Sequence, residues 1–438
     1  MENTRTETLG YGLQLGGLVL LGLTVSLAIV WLLSHMGTLG QNIPQPDIVG
    51  DYVRGWMWAL GLAALICLVP VEERQPLLVV WLVKIVVDLG AMLVYEWHYG
   101  LDAYWYFSWG VWGNHGSLLP VLGNGSETTL RLSALLAYIT GPSYHAMKVV
   151  YSFIGFWGSF CFYRAACHYL RRREPWLLYV VALTPSVLFW SSILGKDPVI
   201  FFGAGLYALG AAGWLRTSRT FYALPLICGV LIAMFIREWY GVIMIAPLLF
   251  VVAPRLRHPL QRILSVGAGL AGMFYAYSLF QKQFLTDGLS SVLPTVNTTI
   301  SGFGGQGSSQ SVQAFHSFGG MFLFWPWGIF TALFRPLPWD VHNIFTAIAA
   351  VEGSALLILV VSAARHWKFS ALRDPVISWT LAYLLCWASL YGFAGFGNLG
   401  MAARERLEVM PIIVLLALLF GTQNGRRYLA SVTTEARS

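Results

Sequence analysis

Apolar residues run along this chain in long blocks separated by short polar clusters. A membrane-crossing helix needs about 20 mostly apolar residues. By that measure the blocks predict helices over Tyr11–His35, Gly55–Val71, Pro76–Tyr95, Tyr144–His168, Trp176–Leu194 and Pro198–Leu215. Further blocks cover Phe221–Ile236, Trp239–Ala253, Ile263–Phe280, Phe345–Ala364, Val376–Phe393 and Leu407–Gly421. The expected fold is all-α: a single polytopic membrane domain, 1–438, of about 12 transmembrane helices. No internal repeat shows, and no stretch is long enough for a separate soluble domain.

The polar clusters alternate in character. With the N-terminus inside, one set of connections carries Arg171–Arg173, Arg216 and Arg219, the group Arg255, Arg257 and Arg262, the group Arg365, Lys368 and Arg373, and finally Arg426 and Arg427. Cytoplasmic loops favour Lys and Arg, so these clusters predict cytoplasmic termini in a cell (inner) membrane and an even number of spans. The opposite face holds two long loops, 96–143 and 281–343. The first is rich in aromatics, among them Tyr104, Trp105, Tyr106, Phe107, Trp109 and Trp112. The second opens with a Gly/Ser-rich run at 302–309 and continues into Phe318–Phe334, which predicts an interfacial or re-entrant helix.

Composition agrees with that picture. Hydrophobic residues make up 57% of the 438, charged residues 11%, and the mean hydropathy is +0.64. Soluble domains carry roughly 25% charged residues. The net charge of +7 is spread over short loop clusters, which argues against a nucleic-acid partner. Cys67, Cys161, Cys167, Cys228 and Cys386 all lie in apolar stretches without metal-ligand spacing.

Candidate chemistry gathers at the outer helix ends: Glu96, His98 and Asp102; Lys196 and Asp197; Arg237 and Glu238; Arg335, Asp340 and His342; and Arg404, Glu405, Arg406 and Glu408. Cations are disfavoured on this face. Either each pairs with a neighbouring acid, as Lys196 with Asp197 or Arg237 with Glu238, or they share a phosphate-bearing ligand. Lys84 and Asp88 are spaced to pair along one helix, and Glu352 calls for a partner on another.

The segments DAYWYF, TPSVLFWSSILGKDP, FIREWYG, FRPLPWD and NLGMAARERLEVMP, in that order, resemble membrane proteins encoded with bacterial polysaccharide genes, and through them the GT-C class of polyprenyl-phosphate-dependent glycosyltransferases. The resemblance covers Glu96 to Pro411 and implies transfer of a sugar from a polyprenyl-phosphate carrier to a glycan, lipid or protein acceptor at the outer membrane face. It implies Asp102 as the general base with Glu96 nearby, and Lys196, Arg237, Arg335, Arg404 and Arg406 as binders of the carrier phosphate among membrane lipid. Tyr104, Trp105 and Trp109 would stack on sugars. Some members use a divalent cation, which a carboxylate could hold. The family's acid usually follows the first span, so Asp47 and Asp51 compete for the role. A polysaccharide polymerase or O-antigen ligase, and a secondary transporter, are the alternative readings.

Overall fold

The computed structural model describes residues 34–69, 71–99, 102–114, 116–253, 292–302 and 314–421, with scattered positions in 23–32 and 259–274. Most of the predicted spans Tyr11–His35 and Ile263–Phe280 lie outside the described residues. So do the run 303–309, Arg255, Arg257, Arg262, Arg426, Arg427 and both termini.

All regular structure among the described residues is helical. Helix α1 (Ile48–Ile66) starts at an Asp47 cap that accepts the Gly50 N–H at 2.8 Å. Helices α2 (Val71–Val86) and α3 (Met92–Tyr99) are joined by a π-turn over Val87–Ala91 and act as one long rod. Two helices, α4 (Ala103–Trp112) and α5 (Gly125–Thr140), then fill the first long connection, and α6 (Tyr144–Leu170) follows.

The predicted span Trp176–Leu194 is not continuous. It divides into α7 (Trp176–Ala182) and α8 (Pro185–Trp190), because Pro185 lacks an N–H and disfavours helical backbone in the residue before it. After α9 (Lys196–Thr217) come α10 (Ala223–Ile236) and α11 (Glu238–Val252), separated at Arg237, whose backbone is extended (φ −145°, ψ 106°).

The second long connection includes α12 (Val292–Gly302) and the expected aromatic helix, α13 (Phe318–Phe334). The chain continues through α14 (Ile344–Ala364), α15 (Pro375–Ala394), the short α16 (Leu399–Glu405) and α17 (Met410–Gly421).

Among the described residues, four helices are long and apolar enough to cross a membrane: Glu72–Tyr99, Lys196–Thr217, Ile344–Ala364 and Pro375–Phe393. Thr220–Ile236, Glu238–Val252, Phe318–Phe334 and Met410–Gly421 are apolar but shorter. A membrane-associated helical protein is therefore what the structure supports.

Small residues let the rods approach. α9 lies against α6, where a side chain on Gly205 would meet the Gly158 carbonyl oxygen at 2.6 Å. α13 and α15 touch backbone to backbone at Gly328 and Gly392, a contact of the small-residue kind used in membranes.

Charges sort to the two ends. At one end Arg216 reaches Asp374 at 2.7 Å and the Tyr169 carbonyl at 3.3 Å, while Arg164 reaches Glu73 at 2.7 Å. These contacts join the start of α2, the ends of α6 and α9 and the start of α15. Lys196, Arg237 and Arg404 gather at the other end.

Candidate functional site

The site starts at the first turn of α9, where the chain leaves the broken α7–α8 segment as Gly195-Lys196-Asp197-Pro198. A carboxylate in a helix's first turn is favoured by the unpaired N–H groups there. Asp197, 2% exposed, takes a second partner from far along the chain: Arg404 of α16 donates Nε (3.0 Å) and Nη2 (2.6 Å) to its Oδ2. The Arg404 guanidinium also lies 5.4 Å from the centre of the Trp190 ring. Burial opposes the Arg404 charge, but Asp197 more than offsets it and raises the pKa above the ordinary arginine value.

Lys196 does not pair with its neighbour Asp197. Its ammonium donates to Ser126 Oγ at 2.8 Å, lies 5.8 Å from the Tyr106 ring centre, and forms no salt bridge among the described residues. Burial pushes the Tyr106 phenol up to about 12, so it stays a neutral O–H at this position. Ser126 is held in place by its neighbour, since a side chain on Gly125 would come within 2.3 Å of the Ile236 carbonyl oxygen.

Arg237 occupies the break between α10 and α11 and faces Glu405, not Glu238. Its Nη2 donates to Glu405 Oε1 at 2.6 Å, and its Nη1 donates to Glu405 Oε2, to the Tyr391 hydroxyl and, at 3.1 Å, to Glu408 Oε1. The Trp387 indole N–H holds the other Glu408 oxygen at 2.8 Å. Glu238 instead packs over Gly123, where φ is +76° and any side chain would collide with the carboxylate.

Asp102 lies in the turn before α4, exposed and making no capping hydrogen bond. Lys196 interacts electrostatically with Arg237, Asp102, Asp197 and Arg404 together. Residues predicted from distant segments therefore converge. Of the sugar-stacking candidates, Trp105 (43% exposed) and Trp109 (58%) share one open face of α4, whereas Tyr104 is half-buried with its ring 5.4 Å from Tyr144.

Three predicted residues lie elsewhere. Arg335 forms a two-pronged pair with Asp340 (Nε–Oδ2 3.0 Å, Nη2–Oδ1 2.6 Å) and stacks 5.3 Å from Trp327. Arg406, 1% exposed, donates Nε to the Ala332 carbonyl at 3.0 Å and Nη2 to the Arg335 carbonyl. Both arginines brace the end of α13. Glu96 is fully buried and bonded to Lys148 at 3.0 Å.

The competing acids are also engaged. Asp51 is not in a loop but in the first turn of α1, fully buried against His145 at 2.6 Å, and Asp47 is the α1 cap. The Lys84–Asp88 pairing expected from spacing is replaced by longer-range partners. Lys84 donates to the Ser191 carbonyl (2.9 Å), Ser191 Oγ (2.5 Å) and Ser192 Oγ (2.9 Å), and Asp88 accepts from Ser152 at 2.6 Å. Glu352 does find a partner on another helix, the Ser186 N–H at 2.8 Å.

Ser126, His145 and Lys148 were not singled out by sequence. The available signal was the spacing of Tyr144, His145, Lys148 and Ser152, which puts polar groups on successive turns of an otherwise apolar helix. No group of three or more His, Cys, Asp or Glu residues with metal-binding geometry occurs among the described residues. Comparison with protein-family models, with curated proteins and with solved structures finds no match.

Proposed function

We propose that the chain is a glycosyltransferase of a cell (inner) membrane, with about 12 spans and both termini cytoplasmic, that moves a sugar from a polyprenyl-phosphate carrier to an acceptor on the outer face. One observation carries this reading: an exposed carboxylate, Asp102, and an ammonium that forms no salt bridge among the described residues, Lys196, share one end of the bundle with two fixed arginines.

In this reaction Asp102 accepts the proton of the acceptor hydroxyl as that oxygen attacks the anomeric carbon. The bond from the anomeric carbon to the carrier phosphate breaks, and the phosphate leaves with its electron pair. Lys196 contacts the departing phosphate. Arg237 and Arg404 stand beside it with their charges paired to Glu405, Glu408 and Asp197, and they offer hydrogen-bond donors from fixed positions. Arg335 and Arg406 have no part in this scheme. Trp105 and Trp109 offer flat apolar surfaces to a sugar.

The test uses the full chain in liposomes with polyprenyl-phosphate-linked sugars. Asp102→Asn should lower turnover by about 10²–10⁴-fold, the usual contribution of a general base. Carrier binding, followed by tryptophan fluorescence, should be unchanged in that variant and weakened in Lys196→Gln. Full transfer by Asp102→Asn would sink the proposal.

A second reading, a secondary transporter, is favoured by the fully buried ionisable groups Asp88, Glu96 and Lys148. Uptake of solute without glycosidic-bond formation would select it.

A further inference from the structure

Asp51, Asp88, Glu96, His145 and Lys148 are 0% exposed and Lys84 is 2% exposed, and they form a continuous polar cluster where α1, the α2–α3 rod and α6 meet. Lys148 Nζ lies 3.0 Å from Glu96 Oε2 and 3.7 Å from Asp88 Oδ1. The π-turn makes this possible. In a regular helix, residues eight apart differ in direction by about 80°. The extra residue in the turn at Val87–Ala91 cancels most of that and puts Asp88 and Glu96 on one face. The Tyr52 hydroxyl, from α1, donates to the Leu89 carbonyl within the same turn at 2.7 Å.

Among the described residues the cluster lacks one positive charge. Three carboxylates face two ammonium groups, and His145 does not supply the third cation. Its Nδ1 is engaged with Asp51, and its buried Nε2 has no hydrogen-bond partner among the described residues. A second N–H there would be a charged donor with nothing to receive it, which is costlier than an unused lone pair. Asp51 Oδ1, Asp88 Oδ1 and Glu96 Oε1 are likewise buried without a hydrogen-bond partner among the described residues, and of these three acids only Asp88 and Glu96 flank one ammonium, Lys148. Charge count and unfilled oxygens point to the same missing particle.

We infer that Asp88 and Glu96 share one exchangeable proton across Lys148, so that this cluster is a buried proton-binding site. The neighbouring groups fit. Ser152 donates to Asp88 Oδ2 and leaves Oδ1 for the proton. The phenols of Tyr104 and Tyr144 interact with Glu96 from α4 and α6, and Ser191 and Ser192 hold Lys84 from the segment before α9. The site is independent of the transferase reading, because no donor or acceptor enters it.

Infrared difference spectroscopy of the full chain in phospholipid nanodiscs, in H2O and D2O, tests it. At neutral pH the wild type shows a protonated-carboxyl band that shifts in D2O. One carboxyl's worth of that band is lost in Asp88→Asn and also in Glu96→Gln, since the remaining acid ionises against Lys148. It persists in Glu72→Gln, where the lost acid is exposed. Should the first two variants fail to accumulate, Ser152→Ala decides, because stripping the hydroxyl from Asp88 shifts the band. A spectrum unchanged in Asp88→Asn and Glu96→Gln, or in Ser152→Ala where only it can be made, overturns the proposal. So does a band present in choline buffer and abolished by sodium, which would assign the site to a metal cation.

Discussion

Arginine is used here in two ways, and burial with partner type separates them. Arg406 spends its donors on backbone carbonyls and Arg335 locks onto Asp340, five residues ahead. Such groups hold a chain turn and cannot also grip a ligand. Arg237 and Arg404 keep 18% and 28% of their side-chain surfaces exposed and meet acids from distant helices, so their charges stay fixed yet reachable. Removing one partner of a buried pair costs about 3–5 kcal/mol. Asp340→Ala should therefore lower the melting temperature of the purified chain while leaving carrier binding per folded molecule intact. Burial opposes ionisation of Asp340, but Arg335 and the Leu337 N–H outweigh it and depress its pKa. Its contribution should be complete above the unfolded carboxylate value, about 3.9, and fade as pH falls through the lower folded value. The same acid scan on Asp340→Ala should lack that component.

At the scale of elements, glycines and helix breaks decide where the site's side chains sit. Gly125 presses on the Ile236 carbonyl, fixing Ser126 beside Lys196 and placing α5 against the end of α10. Gly125→Val should force the two apart at a cost of about 1–3 kcal/mol, loosening α4–α5 to proteolysis and lowering transfer. Gly116→Ala, at a position with open space around it, should do neither. The helices of this region were readable in the sequence because apolar runs and their interruptions are local. Phe221–Ile236 and Trp239–Ala253 were expected as separate spans around Arg237, and α10 and α11 divide there. The fracture at Thr184-Pro185 was missed because the flanking residues are as apolar as the helices they break. The π-turn was also missed. It leaves no composition signal, yet it rotates Glu96 toward Lys148 and away from the role given to it. Partner choice was the least legible feature: spacing offered Asp197 to Lys196 and Glu238 to Arg237, whereas packing brought Arg404 to Asp197, Ser126 to Lys196 and Glu405 to Arg237.

For the whole molecule, the sorting of charge is the property most plainly written in the sequence, because a basic cluster between apolar runs is visible without any contact. The structure joins Arg216, Asp374 and the end of α6 at one end, and Lys196, Arg237 and Arg404 at the other, as alternate connections require. The cell side that each end faces is part of the proposal, and it rests on the bias of cytoplasmic loops toward Lys and Arg. Two described positions can report it: Ser117, exposed between α4 and α5, and Lys368, exposed between α14 and α15. In a background where the exposed Cys67 is replaced, Ser117→Cys should react with a membrane-impermeant thiol reagent in intact cells. Lys368→Cys should react only after the membrane is opened. Neither substitution removes a packing contact or one of the ion pairs described above, so expression should match the parent chain. The opposite labelling pattern would put Asp102 and Lys196 on the cytoplasmic side. There a lipid-linked sugar on the outer face would be out of reach, and the transferase reading would have to be given up along with the orientation.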